Sequence, residues 1–465
     1  MSFEEAEKIF RHKTYGAIIP HAGMKYAGDA RRNVFIYLPK NANYIIYIAT
    51  LHSINKKDKV YILHNDTNFS DFPLNFTSTL NDYSKNEHSF KWVETELRYY
   101  FPKAKILALA PTAGTNLDLL SEYILQFMKQ YKNSILLATA DLIHYGKDYN
   151  TSMLLKYPQQ LNKQIMEEEL ILNMMNIKIN KTKNILKNKV LTCGPNTIIT
   201  FLKVAKKLKW CGKVVDYYDS YGVLKKDFIN RYTIDYKPVK SFVSYVSIIY
   251  GNYTKKDLTI FLPLDILLAI GLVKSEIMKS TMQNNYKLTL PKWSPLYHRE
   301  QGIFVGTEVL NKNGFSTNCS TGFYENKLSS MSNKIVGSSE NCYNDALQRW
   351  KIPYHENLFD NMSYKVELLD PESNWNQHPS HLAPNIFKLD GKHGMLLHLP
   401  NNKSATFLPV VVRNSPIWNI EDYMERLSLK AGGNKLDWKN KNSMIKIYKT
   451  KSFKWNPLIK IIEIN

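Results

Sequence analysis

The chain has 465 residues, 44% hydrophobic and 12% aromatic, with a formal net charge of +21. That much apolar material excludes wholesale disorder, and the length suits two or three packed domains. The charge leaves attraction to nucleic acid or anionic surfaces open, but no long basic run exists. The densest cluster, Lys203, Lys206, Lys207 and Lys209 near Lys213, reads as the exposed face of one helix.

In chain order, the first half alternates short β-rich runs with helical stretches, the pattern of a parallel sheet with crossover helices. Strands are predicted at 15–19, 44–49, 60–63, 105–110 and 134–140, with a helix at 117–131. A long helical region at 158–188 and a helix at 196–209 follow, then late strands at 214–219 and 242–250. The polar, turn-like stretch 251–257 is the best domain boundary. Beyond it come a helix at about 263–280, a Ser-, Asn- and Gly-rich region at 311–342, and short strands at 363–369 and 395–399, which suggests an α+β domain. There is no internal repeat.

The longest apolar run, 258–273, is shorter than a membrane span and carries Pro263 and Asp265, so a buried helix is expected and no membrane partner. The acidic start Met1-Ser2-Phe3-Glu4-Glu5 has no apolar signal-peptide region. Cys193, Cys211, Cys319 and Cys342 form no CxxC pair and no disulfide framework. A reducing, cytoplasmic compartment fits best.

In open α/β sheets, ligands bind beyond the carboxyl ends of the strands. The first strand is followed by Pro20-His21-Ala22-Gly23, the second by Thr50-Leu51-His52-Ser53, and the third by His64-Asn65-Asp66. The strand at 134–140 leads into Asp141-Leu142-Ile143-His144-Tyr145-Gly146, and Thr192-Cys193-Gly194-Pro195 precedes the helix at 196. Imidazole, carboxylate and thiolate groups thus fall on one predicted rim, and these are first-row metal ligands. Each also has a plain structural reading: loop or strand-end histidines bonded to backbone, Asp141 as a helix N-cap, Glu87 or its neighbours as a cap, Cys193 as an inert buried thiol. A thiol at a helix start is expected to have a lowered pKa.

At these residues the sequence resembles the Memo family. The matching segments are Gly16-Ala17-Ile18-Ile19-Pro20-His21-Ala22-Gly23 with Tyr26 and Gly28, His52-Ser53, Glu87-His88-Ser89, Ala140-Asp141-Leu142-Ile143-His144-Tyr145-Gly146 and Cys193-Gly194-Pro195, in the family's order. The resemblance implies a mixed, mainly parallel sheet flanked by helices, similar to class III extradiol dioxygenases, over residues 10–251. It implies one iron or copper ion per chain, with His21, His52 and Cys193 as metal ligands. It also implies His144, with Asp141 beside it, as an acid or base. The sequence departs from the family twice. Its Gly-Pro-Ser-His is replaced by Ala49-Thr50-Leu51-His52, and its N-terminal His-Ala-Gly-Ser-Trp-Tyr-like segment is missing.

Residues 258–465 resemble the AMMECR domain, through Gly302-Ile303-Phe304-Val305, Val366-Glu367-Leu368-Leu369, Gly391-Lys392-His393-Gly394-Met395, Ala405-Thr406-Phe407-Leu408-Pro409 and Leu429-Lys430-Ala431-Gly432. The family's Leu-Arg-Gly-Cys-Ile-Gly is reduced to Thr317-Asn318-Cys319-Ser320-Thr321, without the Arg that could grip an anion. Together the two resemblances imply association with a radical SAM protein, whose cluster motif this chain lacks. Three readings stay open, in this order: a metal-dependent oxidoreductase, a peptide- or protein-binding scaffold, and a component of radical SAM-linked RNA modification.

Overall fold

A computed structural model of the chain describes residues 2–52, 59–67, 77–79, 87–149, 159–188, 192–225, 228–233, 239–281, 289–299, 301–310, 316–323, 330–350, 359, 362–370, 377–415, 417–456 and 460–464. Ser53 and the side chains of 317–321 lie outside this description. The chain divides into two compact units, one of residues 1–275 with 287–298, the other of 276–286 with 299–465.

The first unit is a nine-stranded mixed sheet flanked by helices. Its strands are β1 (Thr14–Ile19), β2 (Tyr44–Ile48), β3 (Val60–Asn65), β4 (Thr77–Thr79), β5 (Lys105–Pro111), β6 (Ser134–Thr139), β7 (His144–Gly146), β8 (Cys211–Asp219) and β9 (Ser241–Gly251). Their order is β4-β3-β5-β2-β6-β1-β9-β7, with β8 also on β9. The centre, β5-β2-β6-β1, is parallel. Its strands read as near-continuous apolar runs, Tyr-Ile-Ile-Tyr-Ile in β2 and Ser-Ile-Leu-Leu-Ala-Thr in β6, because both faces are covered. The antiparallel partners lie outside this centre: β3 on β5, β9 on β1, and β7 and β8 on β9.

The described helices are α1 (Phe3–Lys13), α2 (Met24–Phe35), α3 (His88–Tyr100), α4 (Leu117–Gln130), α5 (Gln159–Met175), α6 (Ile179–Asn188), α7 (Pro195–Lys207), α8 (Ser220–Val223) and α9 (Lys255–Leu258), with α10 (Pro263–Thr281) continuing past residue 275, where the first unit's main segment ends. Several starts are written in the sequence: a Ser2–Glu5 capping box for α1, the Asn116 side chain for α4, Pro195 in the first turn of α7. The predicted helix at 158–188 is two helices, broken where Ile177 takes φ 53°. The polar stretch at 251–257 packs onto this unit. Tyr253 joins the core of Phe10 and Tyr37, and Asp257 pairs with Lys13 at 2.7 Å. The run Lys255–Ser280 is long and apolar enough to cross a membrane, but 72% of its most apolar window is buried, the pattern of a core helix.

The second unit is an eight-stranded antiparallel sheet. Its strands are β10 (Ile303–Leu310), β11 (Ser316–Phe323), β12 (Ser363–Leu369), β13 (Gln377–Pro379), β14 (His393–His398), β15 (Ser404–Phe407), β16 (Met444–Asn456) and β17 (Lys460–Ile464), in the order β11-β10-β12-β16-β14-β15, with β13 and β17 also on β16. Helix α11 (Met331–Trp350) packs on β10 and β11, so the described parts of the region from 311 to 342, at 316–323 and 331–342, are more regular than their composition suggests. The short helices α12 (Ala383–Ile386) and α13 (Pro409–Arg413) precede α14 (Ile420–Lys430). The motif segments of this half converge: β14 and β15 form a hairpin, and Lys430 from the end of α14 donates to the Thr406 carbonyl at 2.9 Å.

Candidate metal centre

Register delivers the candidate residues to one rim. Ala138 of β6 sits beside both Ile18 of β1 and Ile48 of β2, so the three strands end level. His21, Thr50–His52 and Asp141 emerge just beyond. Cys193 arrives from the opposite direction along the chain, just ahead of α7. Its approach is close: a Cβ on Gly194 would lie 2.6 Å from Thr50 Oγ1 and 2.8 Å from the Thr139 carbonyl. Only glycine lets this segment pass so near β6.

Five side chains meet there. Donor atoms of His21, His52 and His88 lie within 4.8 Å of one another, and so do those of His21, Asp141 and Cys193. His21 is common to both groups. Its Nδ1 is 2.9 Å from Thr139 Oγ1, which turns Nε2 toward Cys193 Sγ at 3.4 Å and Asp141 Oδ2 at 3.8 Å. Asp141 Oδ1 accepts the amides of His21 and Ala22 at 2.9 and 3.4 Å, so the carboxylate fastens the His21 loop. No helix follows Asp141, and its expected capping role is replaced by this tie.

His52 is aimed without the Gly-Pro turn. Thr50 Oγ1 donates to the Thr139 carbonyl at 2.9 Å, and Glu87 Oε2 accepts the His52 amide at 3.0 Å. Glu87 Oε1 lies 2.8 Å from His52 Nδ1 and 3.3 Å from His88 Nδ1. A carboxylate accepts only, so His52 carries its proton on Nδ1 and keeps the Nε2 lone pair. The His52 and His88 rings are 4.1 Å apart, and each faces His21, at 5.1 and 5.7 Å.

The electrostatics suit neutral nitrogen ligands. Burial lowers the His21 imidazole to about 4; Asp141 opposes this, and the rings of His52 and His88 add to it. Burial and His52 lower His88 as well. Burial alone would raise Glu87, but the side-chain and amide hydrogen bonds of His52 and the Ser89 amide outweigh it and hold the carboxyl at about 2. Cys193 runs against the expectation from its place before a helix. Burial, then the Asp141 charge, raise its thiol well above the ordinary value. The Asp141 amide donates to Sγ at 3.2 Å, which does not offset them.

The donor set fits a first-row metal: three imidazoles, two of them held through Nδ1 by Thr139 and Glu87, lie beside a thiol and a carboxylate. Donors around a tetrahedral ion at about 2.1 Å lie roughly 3.4 Å apart, so the set must close a little. His52 and His88 are partly exposed and have room to do so.

Two expected residues stand apart. His144 lies in β7 opposite Val243, belongs to neither donor group, and packs edge-on to Tyr149 at 5.1 Å. Its Nδ1–H donates to the Leu142 carbonyl at 3.0 Å, which leaves Nε2 as the basic nitrogen. His64 is on the other rim because β3 runs antiparallel to β5; it sits 3.0 Å from Arg98 Nη2 and 3.3 Å from Asp66. His88 was legible only as part of a helix start. Its signal was proximity to Glu87, which serves both as N-cap of α3 and as partner of two histidines.

This is a two-unit protein, a mixed α/β sheet with a His, Cys and Asp cluster on its rim followed by an antiparallel α+β unit. The family described as Memo-like protein matches residues 2–229, and the family AMMECR1 matches residues 270–453. The chain therefore joins a Memo-like domain to an AMMECR1 domain. It is similar to a MEMO1 family protein of Aquifex aeolicus (strain VF5), 21% identical over 238 residues, which covers 44% of this chain and 59% of that relative's length. It is also similar to the crystal structure of an uncharacterized protein from Pyrococcus horikoshii, at 16% identity and a TM-score of 0.35, over 42% of this chain and 94% of that one.

Proposed function

We propose that the Memo-like domain binds one iron or copper ion and works as a redox protein, with metal-dependent oxidoreductase activity as its reaction class. The observation that carries this reading is the convergence of His21, His52 and His88 with Asp141 and Cys193 at one rim. A thiol among imidazoles differs from the two-His-one-carboxylate set of ring-cleaving iron enzymes and favours copper or electron-transfer chemistry. The bound ion would supply electron transfer or oxygen activation.

The chain's residues have distinct parts in this reading. His21, His52 and Cys193 would hold the ion, and His88, in the same donor group as His21 and His52, would be a further ligand. Glu87 orients His52 and His88. Cys193 would bind the ion as its thiolate, with its proton given up on ligation. His144, with Asp141 nearby in sequence, would act as the acid or base for a substrate.

The test is metal content. Protein purified anaerobically is reconstituted separately with Fe(II) and Cu(I), and bound metal is quantified in wild type, His21→Ala, His52→Ala and Cys193→Ala. About one metal per chain is expected in wild type, lost in the three variants while circular dichroism stays native. Folded wild type without specific metal would sink this reading and turn attention to the rim as a surface for a peptide or protein partner.

A further inference from the structure

A buried ion pair lies outside the donor set. Arg31 of α2 is fully buried and pairs through Nε with Glu96 of α3. Its Nη1 donates to the Ala22 carbonyl at 2.6 Å and lies 3.4 Å from the Pro20 carbonyl. Those two carbonyls flank His21. Glu96 stands on the helix that begins at His88 and is capped by Glu87, the partner of His52.

The pair is poorly satisfied. Arg31 Nη2 and Glu96 Oε1 are buried with no hydrogen-bond partner. A buried pair with orphaned atoms contributes little net stability, because desolvation offsets the attraction. What the pair does accomplish is geometric: it joins the His21 loop to the helix that carries His88 and positions His52.

We infer that Arg31 and Glu96 are a positioning pair for the metal centre, locking the His21 loop onto α3 so that the three imidazoles share one focus. This rests on the metal-centre reading above. Outer partners of metal ligands typically change affinity by about 10–100-fold when removed. Replacing both charges at once avoids leaving either one buried alone.

The experiment titrates full-length protein with Co(II), reading affinity by chelator competition and the ligand field by visible absorption. It compares wild type, the double variant Arg31→Met/Glu96→Leu, and Arg31→Lys, which cannot hold Glu96 and Ala22 together. Thermal melting of the metal-free proteins is recorded alongside. The expected result is about 10-fold or greater loss of Co(II) affinity and an altered absorption spectrum in the double variant, with a metal-free melting temperature near wild type. Arg31→Lys should fall between, and it alone decides the matter if the double variant does not fold. Affinity and spectrum unchanged in a folded variant overturn the inference while the metal centre stands. Wild type that binds no Co(II), Fe(II) or Cu(I) overturns the centre itself.

Discussion

Glu87 holds His52 at two points, with Oε1 2.8 Å from Nδ1 and Oε2 accepting the backbone amide at 3.0 Å. One carboxylate therefore sets both the position and the tautomer of that imidazole. Glu87→Gln keeps the size of the side chain but loses the charge, and it can offer only one acceptor. We expect metal affinity to fall by about 10–100-fold, measured by competition with a chelator of known affinity. Affinity equal to wild type would show that His52 needs no such partner.

The two overlapping donor groups make opposite demands. If the ion sits among the three histidines, His88→Ala should cost more affinity than Cys193→Ala; if it sits against the thiol, the order reverses. The ligand set carried by His21, His52 and Cys193 predicts near-complete loss in Cys193→Ala and a loss of about 10-fold in His88→Ala. Copper or cobalt absorption would separate the cases, since only a thiolate ligand adds an intense sulfur-to-metal charge-transfer band.

Gly194 is required by crowding and not by its φ of −122°. An added methyl would meet Thr50 Oγ1 at 2.6 Å, Thr197 Oγ1 at 2.7 Å and the Thr139 carbonyl at 2.8 Å. Gly194→Ala should destabilise the first domain by about 1–3 kcal/mol. It should also push Cys193 away from His21 and weaken metal binding. Urea unfolding and metal titration on the same sample test both effects; an unfolding midpoint matching wild type contradicts the crowding.

Asp216 lies outside the rim and gives a pH signature of its own. Burial raises its carboxyl from the ordinary 3.8 to about 6, against the hydrogen bonds from Asn33 Nδ2 at 2.7 Å, Tyr232 at 3.1 Å and the Tyr217 amide at 2.9 Å. The folded protein thus holds this proton more tightly than the unfolded chain does. Its stabilising contribution is fully present below pH 3.8 and is lost as pH rises through about 6. A shift of this size corresponds to about 3 kcal/mol. Asp216→Asn should lack this loss, so urea midpoints at pH 4, 5, 6 and 7 should show the variant gaining on wild type as pH rises. A constant difference across that range would rule the assignment out.

Much of this was legible in the sequence, and the rest failed for identifiable reasons. Central strands announce themselves as apolar runs, and the rule that ligands gather beyond strand ends singled out His21, His52 and Asp141, with Cys193 read from its place before a helix. The same rule misplaced His64, because an apolar run carries no sign of its direction and β3 turns out to oppose β5. His88 was seen as part of a family segment but not as a donor, because it comes from a helix start and not a strand end. Cys193 was judged by its local position before a helix, whereas its acidity is set by burial and by Asp141, which is 52 residues away in sequence. The break at Ile177 has no glycine or proline to mark it.

The ties made by Asp141 also set an order of events. Its carboxylate reaches back 120 residues to the His21 amide, and its own amide reaches forward 52 residues to the Cys193 sulfur. Contacts of such span close late in folding, because the loop entropy must be met before they form. On a chain still being synthesised, His21, His52 and His88 are all present long before Cys193 leaves the ribosome. Strand β6, which lies between β1 and β2, must be in place before His21 and His52 can meet, and Asp141 just beyond it emerges 52 residues ahead of the thiol.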